Sequence, residues 1–341
     1  MHNNAHCSPD HYNSETYYET VRIERGYTNG LTPEEVYKRE ADFALRASGL
    51  TSPDMFGENT GVLDVACGAG YHAFVMSDML NREVPIHACD PAGELGELAK
   101  AKLLARERQG IHDRITFTFG KQAMMQQLSR NSLGESRYRL ITVLGDSFDM
   151  NVHDTQQALM NLCNILEPGG KVVLQFRQRD PQVSTQQQEN QQQRIEARRR
   201  ELGIVAEPYS DDGGSQSAMI LRDTRNGGAF FRRYIDCDGC PDPQRTEEYQ
   251  VGRSEAGEKI WVHNSGIQYK TIERAYFAPS AEPHKFPHVM INSFLREESL
   301  PTSRRMFEDA GFENVELKTP ENEDEYLGGH RIMAYVASKP V

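Results

Sequence analysis

No run in the sequence approaches the roughly 18 consecutive apolar residues that a membrane-spanning helix needs, which excludes a helical integral membrane protein. Positive charge is also in short supply. Lys and Arg number 38 against 50 Asp and Glu, a formal charge of −12. Gripping a nucleic-acid backbone depends on Lys and Arg displacing counterions, so that kind of partner is disfavoured. The one concentrated basic run, Arg194 to Arg200, follows a glutamine-rich stretch and reads as a solvated helix face. Six cysteines in 341 residues do not make a disulfide framework, and Cys67, Cys89 and Cys163 lie in apolar surroundings that suit buried thiols. An apolar fraction of 38% and a mean hydropathy of −0.67 are low for a compact enzyme, and imply a core carrying long polar stretches. Met1 to Pro9 lacks the charged-then-apolar pattern of a secretory signal, so a cytoplasmic location is expected.

What is present is a regular alternation. Between Gly61 and Phe176, short aliphatic runs alternate with amphipathic ones: strands over Val62–Val65, Val84–Cys89, Ile115–Phe119, Tyr138–Leu144 and Lys171–Phe176, with helices over Tyr71–Leu80, Glu94–Arg108, Ala123–Ser129 and Asp154–Leu166. Five strands separated by helices require a mostly parallel sheet covered on both faces. After Arg177 the pattern changes. Ser184–Gly203 is a polar helix former with almost no apolar stripe. Strand-like runs then cover Ala218–Arg222, Ala229–Asp236, Thr246–Gly252, Lys259–His263 and Ile267–Phe277, separated by Asp/Asn/Gly turns, as expected of an antiparallel insertion. A final helix, Pro301–Ala310, and strands over Val315–Lys318 and Arg331–Val336 complete the first sheet. The expected domains are an N-terminal lid and helix over 1–50, a core over 51–180 and 298–341, and an inserted subdomain over 181–297 that shapes an acceptor site.

The most informative segment is Val62-Leu63-Asp64-Val65-Ala66-Cys67-Gly68-Ala69-Gly70-Tyr71. A strand runs into a glycine-bearing turn that opens a helix, so the backbone can approach a ligand at the carboxyl end of the sheet. Asp90 closes the next strand, where a carboxylate can accept both hydroxyls of a ribose. For Asp64 the competing role is a turn cap. For Asp90 it is a helix N-cap.

This segment resembles motif I of class I S-adenosylmethionine-dependent methyltransferases, hydrophobic-Leu-Asp-hydrophobic-x-x-Gly-x-Gly, and departs from the dinucleotide fingerprint by having Ala73-Phe74 where a third glycine would stand. Leu144-Gly145-Asp146-Ser147-Phe148 is similar to the Leu-Gly-Asn-Ser-Phe motif of glycine and glycine/sarcosine N-methyltransferases. Their Asp-Val-Ala-Cys-Gly-x-Gly also stands here, and Gln175-Phe176-Arg177-Gln178-Arg179-Asp180 echoes the end of their fifth strand. Asp146 replaces their Asn, and Met150 a frequent His, so the acceptor need not be glycine. The resemblance implies a doubly wound, mostly parallel seven-stranded α/β sheet of Rossmann-like type, with an antiparallel β insertion after strand five and S-adenosyl-L-methionine as cofactor.

The resemblance also implies roles. Ala66, Gly68 and Gly70 face the methionine part of the cofactor, with Asp64 near its amino group. Asp90 binds the ribose and Pro91 lies against the adenine, whose amino group Gln122, beside Ala123, can satisfy. Leu144 and Gly145 floor the sulfonium and Ser147 adds a hydrogen bond. Tyr18 and Tyr27 belong to an aromatic lid, and Arg39 reaches the cofactor carboxylate. Arg177 clamps an acceptor carboxylate, or else pairs with a loop acid. Asp146 faces the nucleophile, and His153 serves as base or as a structural residue. No metal is expected: Cys237 and Cys240 have a suitable spacing but no second pair, which leaves a hairpin tip as the simpler reading. The function expected is methyl transfer to a small-molecule acceptor, the nitrogen of an amine or amino-acid-like metabolite. O- or C-methylation, a tRNA or protein acceptor, and a non-catalytic cofactor-binding protein are the alternatives. Self-association is left open.

Overall fold

A computed structural model describes residues 23, 26–27, 30–133, 137–145, 155–178, 185–208, 219–225, 227–234, 246–253, 259–264, 268–277, 289–297, 300–319, 326–327 and 330–341. The chain divides into two compact units, residues 34–181 with 303–341, and residues 1–33 with 182–302.

The first unit is the α/β core. In chain order it holds α1 (Pro33–Ser48), β1 (Thr60–Val65), α2 (Tyr71–Met79), β2 (Ile86–Asp90), α3 (Gly93–Arg108), β3 (Ile115–Phe119), β4 (Arg137–Val143), α4 (Thr155–Ile165) and β5 (Leu166–Gln178). Its sheet is completed by three C-terminal strands considered below. All six residues of β1 and all five of β2 are buried, as central strands covered on both faces must be. Helix α1 carries Glu34 and Glu35 in its first turn, where the helix dipole favours negative charge. It buries Val36, Tyr37, Ala41, Ala44 and Leu45 along one stripe. Glu40 lies on that same stripe and is 0% exposed.

The second unit contains α5 (Thr185–Leu202) and the strands β6 (Ile204–Pro208), β7 (Met219–Asp223), β8 (Ala229–Tyr234), β9 (Tyr249–Arg253), β10 (Lys259–His263), β11 (Gln268–Phe277) and β12 (Val289–Glu297). They pair antiparallel in the order β6-β7-β8-β11-β10-β9, with β12 on β11. Ile23, Leu221 and Phe230 form a small core there, with Tyr27 and Met219 packed against it.

Helix α6 (Leu300–Asp309) leads back to the first sheet through β13 (Glu313–Lys318), β14 (Tyr326–Leu327) and β15 (His330–Ser338). The first sheet has the order β13-β15-β5-β4-β1-β2-β3, with β14 on β15. Strands β1 to β5 are parallel neighbours, and β15 runs antiparallel to both β5 and β13.

Several elements differ from the sequence reading. Ala123–Ser129 is not one helix but two 3-10 turns, Lys121–Ala123 and Met125–Gln127, because Met124 between them is extended at φ −66°, ψ 131°. Strand β5 begins five residues early: the Gly169 N–H donates to the Lys339 carbonyl and the Lys339 N–H donates to the Gly170 carbonyl, so the Pro-Gly-Gly segment is stitched to the C-terminal strand. Strands β6, β12 and the two-residue β14 were not anticipated. The first is short and ends in proline, as an edge strand can, and the second lacks a period-two alternation.

Candidate active site

The chain proceeds from β1 outward through β2 to β3, then returns to the other side of β1 for β4 and β5. The loops leaving the carboxyl ends of β1 and β4 therefore run in opposite directions, and such a switch point is where open α/β sheets bind ligands.

The turn after β1 is held to the end of β2 by two bonds. The Cys67 N–H donates to the Cys89 carbonyl (3.1 Å), and the Gly68 N–H donates to Asp90 Oδ2 (2.8 Å). Asp90 Oδ1 accepts from the Ala92 N–H (2.8 Å). The residue capping α3 is Ala92, so Asp90 closes a local Asx turn rather than capping that helix. Each of its oxygens keeps a second lone pair for a ligand. Ala66 takes φ +57°, left-handed backbone that disfavours a side chain, followed by Gly68 at +55° and Gly70 at +76°. At Gly70 a Cβ would also stand 2.9 Å from a ring carbon of Phe117, so both the turn and the packing require glycine.

Asp64 faces Thr142 in register across β1 and β4. Its Oδ1 accepts from the Thr142 hydroxyl (3.0 Å), while its buried Oδ2 has no hydrogen-bond partner. It is thus a cross-strand acceptor rather than a turn cap. Burial pushes the Asp64 carboxyl up to about 6, with His72 and the Thr142 bond pulling the other way. Burial likewise raises Asp90 to about 6 against the lowering effect of the Ala92 and Gly68 amides. Perturbed carboxylates at a strand-end crevice make this the candidate site.

The other anticipated residues fall on several elements. Pro91 follows Asp90 and is half-buried, and Gln122 is exposed, its amide donating to the Phe119 carbonyl (2.6 Å), beside buried Ala123. Leu144 is buried just past β4, and Gly145 follows it at φ +68°. Arg177 stands near the carboxyl end of β5, in register with Ile332. Arg39 is half-buried on α1. Tyr27 belongs to the antiparallel unit, where the Arg199 guanidinium lies 4.0 Å from its ring centroid and donates to its carbonyl. Tyr18, Asp146, Ser147, His153, Cys237 and Cys240 lie outside the described residues.

Sequence reasoning missed a buried polar chain in the core. His72 Nε2 meets Glu40 Oε2 (2.8 Å), the Gln175 amide donates to Glu40 Oε1 (2.8 Å), and the Gly145 N–H donates to Gln175 Oε1 (3.3 Å). The available signal was an acid on the apolar stripe of α1. Lys102 was also missed: its ammonium lies 3.6 Å from the centroid of the Tyr71 ring, and burial lowers it to about 8. Tyr71 stacks on Tyr37 at 4.8 Å.

Residues 62–170 match the family described as methyltransferase domain. Among solved structures, the chain is similar to the CcbJ methyltransferase from Streptomyces caelestis, at 15% identity and a TM-score of 0.52, covering 95% of this chain and 98% of that one. It is also similar to an S-adenosylmethionine-dependent methyltransferase from Clostridium acetobutylicum ATCC 824, at 13% identity and a TM-score of 0.50, covering 89% and 92%. No curated protein matches the chain. At these identities the solved structures establish the fold, and the family match adds the chemistry. Residues 62–170 thus carry a methyltransferase domain, set in a sheet that has the fold of the class I S-adenosylmethionine-dependent methyltransferases, with S-adenosyl-L-methionine as its cofactor.

Proposed function

We propose that this enzyme methylates the nitrogen of a small amine or amino-acid-like metabolite. The observation that carries the cofactor half of the reading is the pair of buried carboxylates at the switch point. Asp64 Oδ2 is a buried acceptor with no protein partner, the atom that a cofactor ammonium would meet. Asp90 has lone pairs left for the ribose hydroxyls, with Pro91, Gln122 and Ala123 following on the adenine side. Ala66, Gly68 and Gly70 offer backbone without bulky side chains to the methionine part. Leu144 and Gly145 floor the reacting end, Ser147 contributes a hydroxyl, and Arg39 supplies a cation.

Bound there, the cofactor supplies a methyl carbon activated by its sulfonium. The protein's task is to exclude water and hold the acceptor nitrogen in line with that carbon. Positioning of this kind can lower a barrier by about 7–11 kcal/mol. Asp146, or water, would take the proton that the acceptor nitrogen gives up on methylation, with His153 as the second candidate base. Arg177, at the end of β5, supplies a planar cation suited to an acceptor carboxylate. An acid and a guanidinium across one pocket suit a zwitterion. The acceptor assignment is supported by the likeness of Leu144–Phe148 to glycine N-methyltransferases and by the acidic balance of the chain.

The test is incubation with methyl-labelled S-adenosyl-L-methionine and a metabolite extract, followed by identification of the labelled product. The expected product is an N-methylated small molecule. Label on oxygen or carbon would replace the acceptor assignment, and label confined to RNA or protein would reject it.

A further inference from the structure

Buried charge is costly. Removing a carboxylate from water costs several kcal/mol even after relaxation, and apolar residues of similar size often serve stability as well or better. Glu40 is fully buried on the apolar stripe of α1, so its presence calls for a role that a leucine could not fill. Its two oxygens are committed in different directions, Oε2 to His72 on the helix that leaves the glycine turn and Oε1 to Gln175 on β5.

The hydrogen bonds fix the orientation of the Gln175 amide. The Glu40 carboxylate needs a donor, so it takes the NH2 end, and the Gly145 N–H needs an acceptor, so it takes the oxygen. The chain thus ends on the Leu144–Gly145 peptide. In a trans peptide the N–H and the carbonyl point in opposite directions, so capturing the Gly145 N–H also sets the direction of the Leu144 carbonyl. Gly145 sits at φ +68°, and lacking a Cβ it is the residue in this turn most free to rotate.

We propose that Glu40, His72 and Gln175 are positioning residues that latch the Leu144–Gly145 peptide, joining the glycine turn that holds the cofactor to the strand end where transfer occurs. The inference rests on reading the ends of β4 and β5 as the transfer site. The latch acts on the geometry of the reacting end; the hydrogen bonds of Asp64 and Asp90 go to Thr142, Gly68 and Ala92, and its one link to them among the described residues is the pull of His72 on the Asp64 carboxyl.

The test uses the full chain and three variants, Gln175→Met, Glu40→Leu and Glu40→Gln. Glutamine at position 40 can still accept from Gln175 and donate to His72, so it is the conservative replacement. Three quantities are read: amide exchange at Gly145 and Gly68 in glycine-labelled protein, the Kd for S-adenosyl-L-methionine by calorimetry, and labelled-methyl transfer into a metabolite extract at saturating cofactor. In Gln175→Met and Glu40→Leu, exchange at Gly145 should accelerate at least tenfold and transfer should fall at least tenfold. In Gln175→Met, exchange at Gly68 and the cofactor Kd should stay within about threefold, and Glu40→Gln should recover most of the transfer that Glu40→Leu loses. Unchanged exchange and transfer in Gln175→Met would overturn the latch, as would losses of cofactor affinity and transfer in equal measure in every variant. Should Glu40→Leu fail to fold, Gln175→Met decides alone. If the unaltered chain neither binds the cofactor nor transfers a methyl group, the functional reading itself fails, which is a different outcome from an intact enzyme indifferent to Gln175.

Discussion

At the scale of single residues, the proposed cofactor site turns on Asp64 and Asp90. Both are pushed up to about 6, chiefly by burial, above an unfolded value of about 3.9. Their contribution to stability is therefore complete below about pH 4 and is lost as pH rises through about 6. At neutral pH each ionised carboxylate costs the unliganded protein on the order of 3 kcal/mol. A cationic ligand at Asp64 offsets that cost, so cofactor affinity should fall about tenfold from pH 7 to pH 5 as Asp64 takes up a proton. Calorimetry at the two pH values checks this, and a flat profile would contradict it. Asp64→Asn should raise the thermal midpoint of the unliganded protein at pH 7.5 while weakening the cofactor at least tenfold. Ala66 makes a smaller point. At φ +57° it pays for left-handed backbone, so Ala66→Gly should stabilise the fold by about 0.5–1 kcal/mol, the relief of about 1–2 kcal/mol less the entropy of glycine. Chemical denaturation reads that difference. Asp64, Asp90 and the two glycines were legible in the sequence because strand, turn and helix follow one another within a dozen residues. Glu40 and Gln175 were not, because their partners stand 32 and 135 residues apart along the chain and only the folded sheet brings them together.

The secondary-structure elements of the core were read well where hydrophobic period and length agreed. Strand β3 was placed residue for residue, and α2, α3, α4 and β4 within one residue at each end. The failures have local causes. Ala123–Ser129 has helix-forming composition but is broken at Met124, and the Pro168-Gly169-Gly170 turn is recruited into β5 by bonds to Lys339, a pairing that no local signal announces although the C-terminal strand itself was read. Packing between elements adds one further expectation. At Gly96 on α3 a Cβ would stand 2.6 Å from a ring carbon of Phe119 on β3, so this helix lies against its strand through a residue without a side chain. Gly96→Ala gains about 1 kcal/mol of helix propensity but overpacks the contact by about 1–3 kcal/mol. Net destabilisation by thermal denaturation is the expected result, with circular dichroism unchanged in the helical bands.

At the scale of the whole molecule, the scarcity of positive charge and of long apolar runs becomes specific. Among the described residues no helix is long and apolar enough to cross a membrane. The polar excess is concentrated in α5, whose sequence is almost entirely Gln, Glu and Arg, and in the antiparallel unit that follows it. The core unit keeps the burial pattern of a compact α/β enzyme. Residues 1–33 belong with 182–302, and α1 with the core, a division that no linker composition announces. A chain of charge −12 should also transfer its methyl label to small molecules at a rate that changes little between 50 and 200 mM salt, whereas an RNA acceptor would impose a steep loss.

The central claim is that the turn after β1 and the carboxylate ending β2 form the cofactor site. Titration calorimetry of S-adenosyl-L-methionine into the unaltered chain and into Asp90→Ala tests it most directly. Saturable binding at one site per chain, weakened at least tenfold in Asp90→Ala with folding intact, is the predicted result. Equal affinity in the two proteins, or no binding to the unaltered chain, would contradict it.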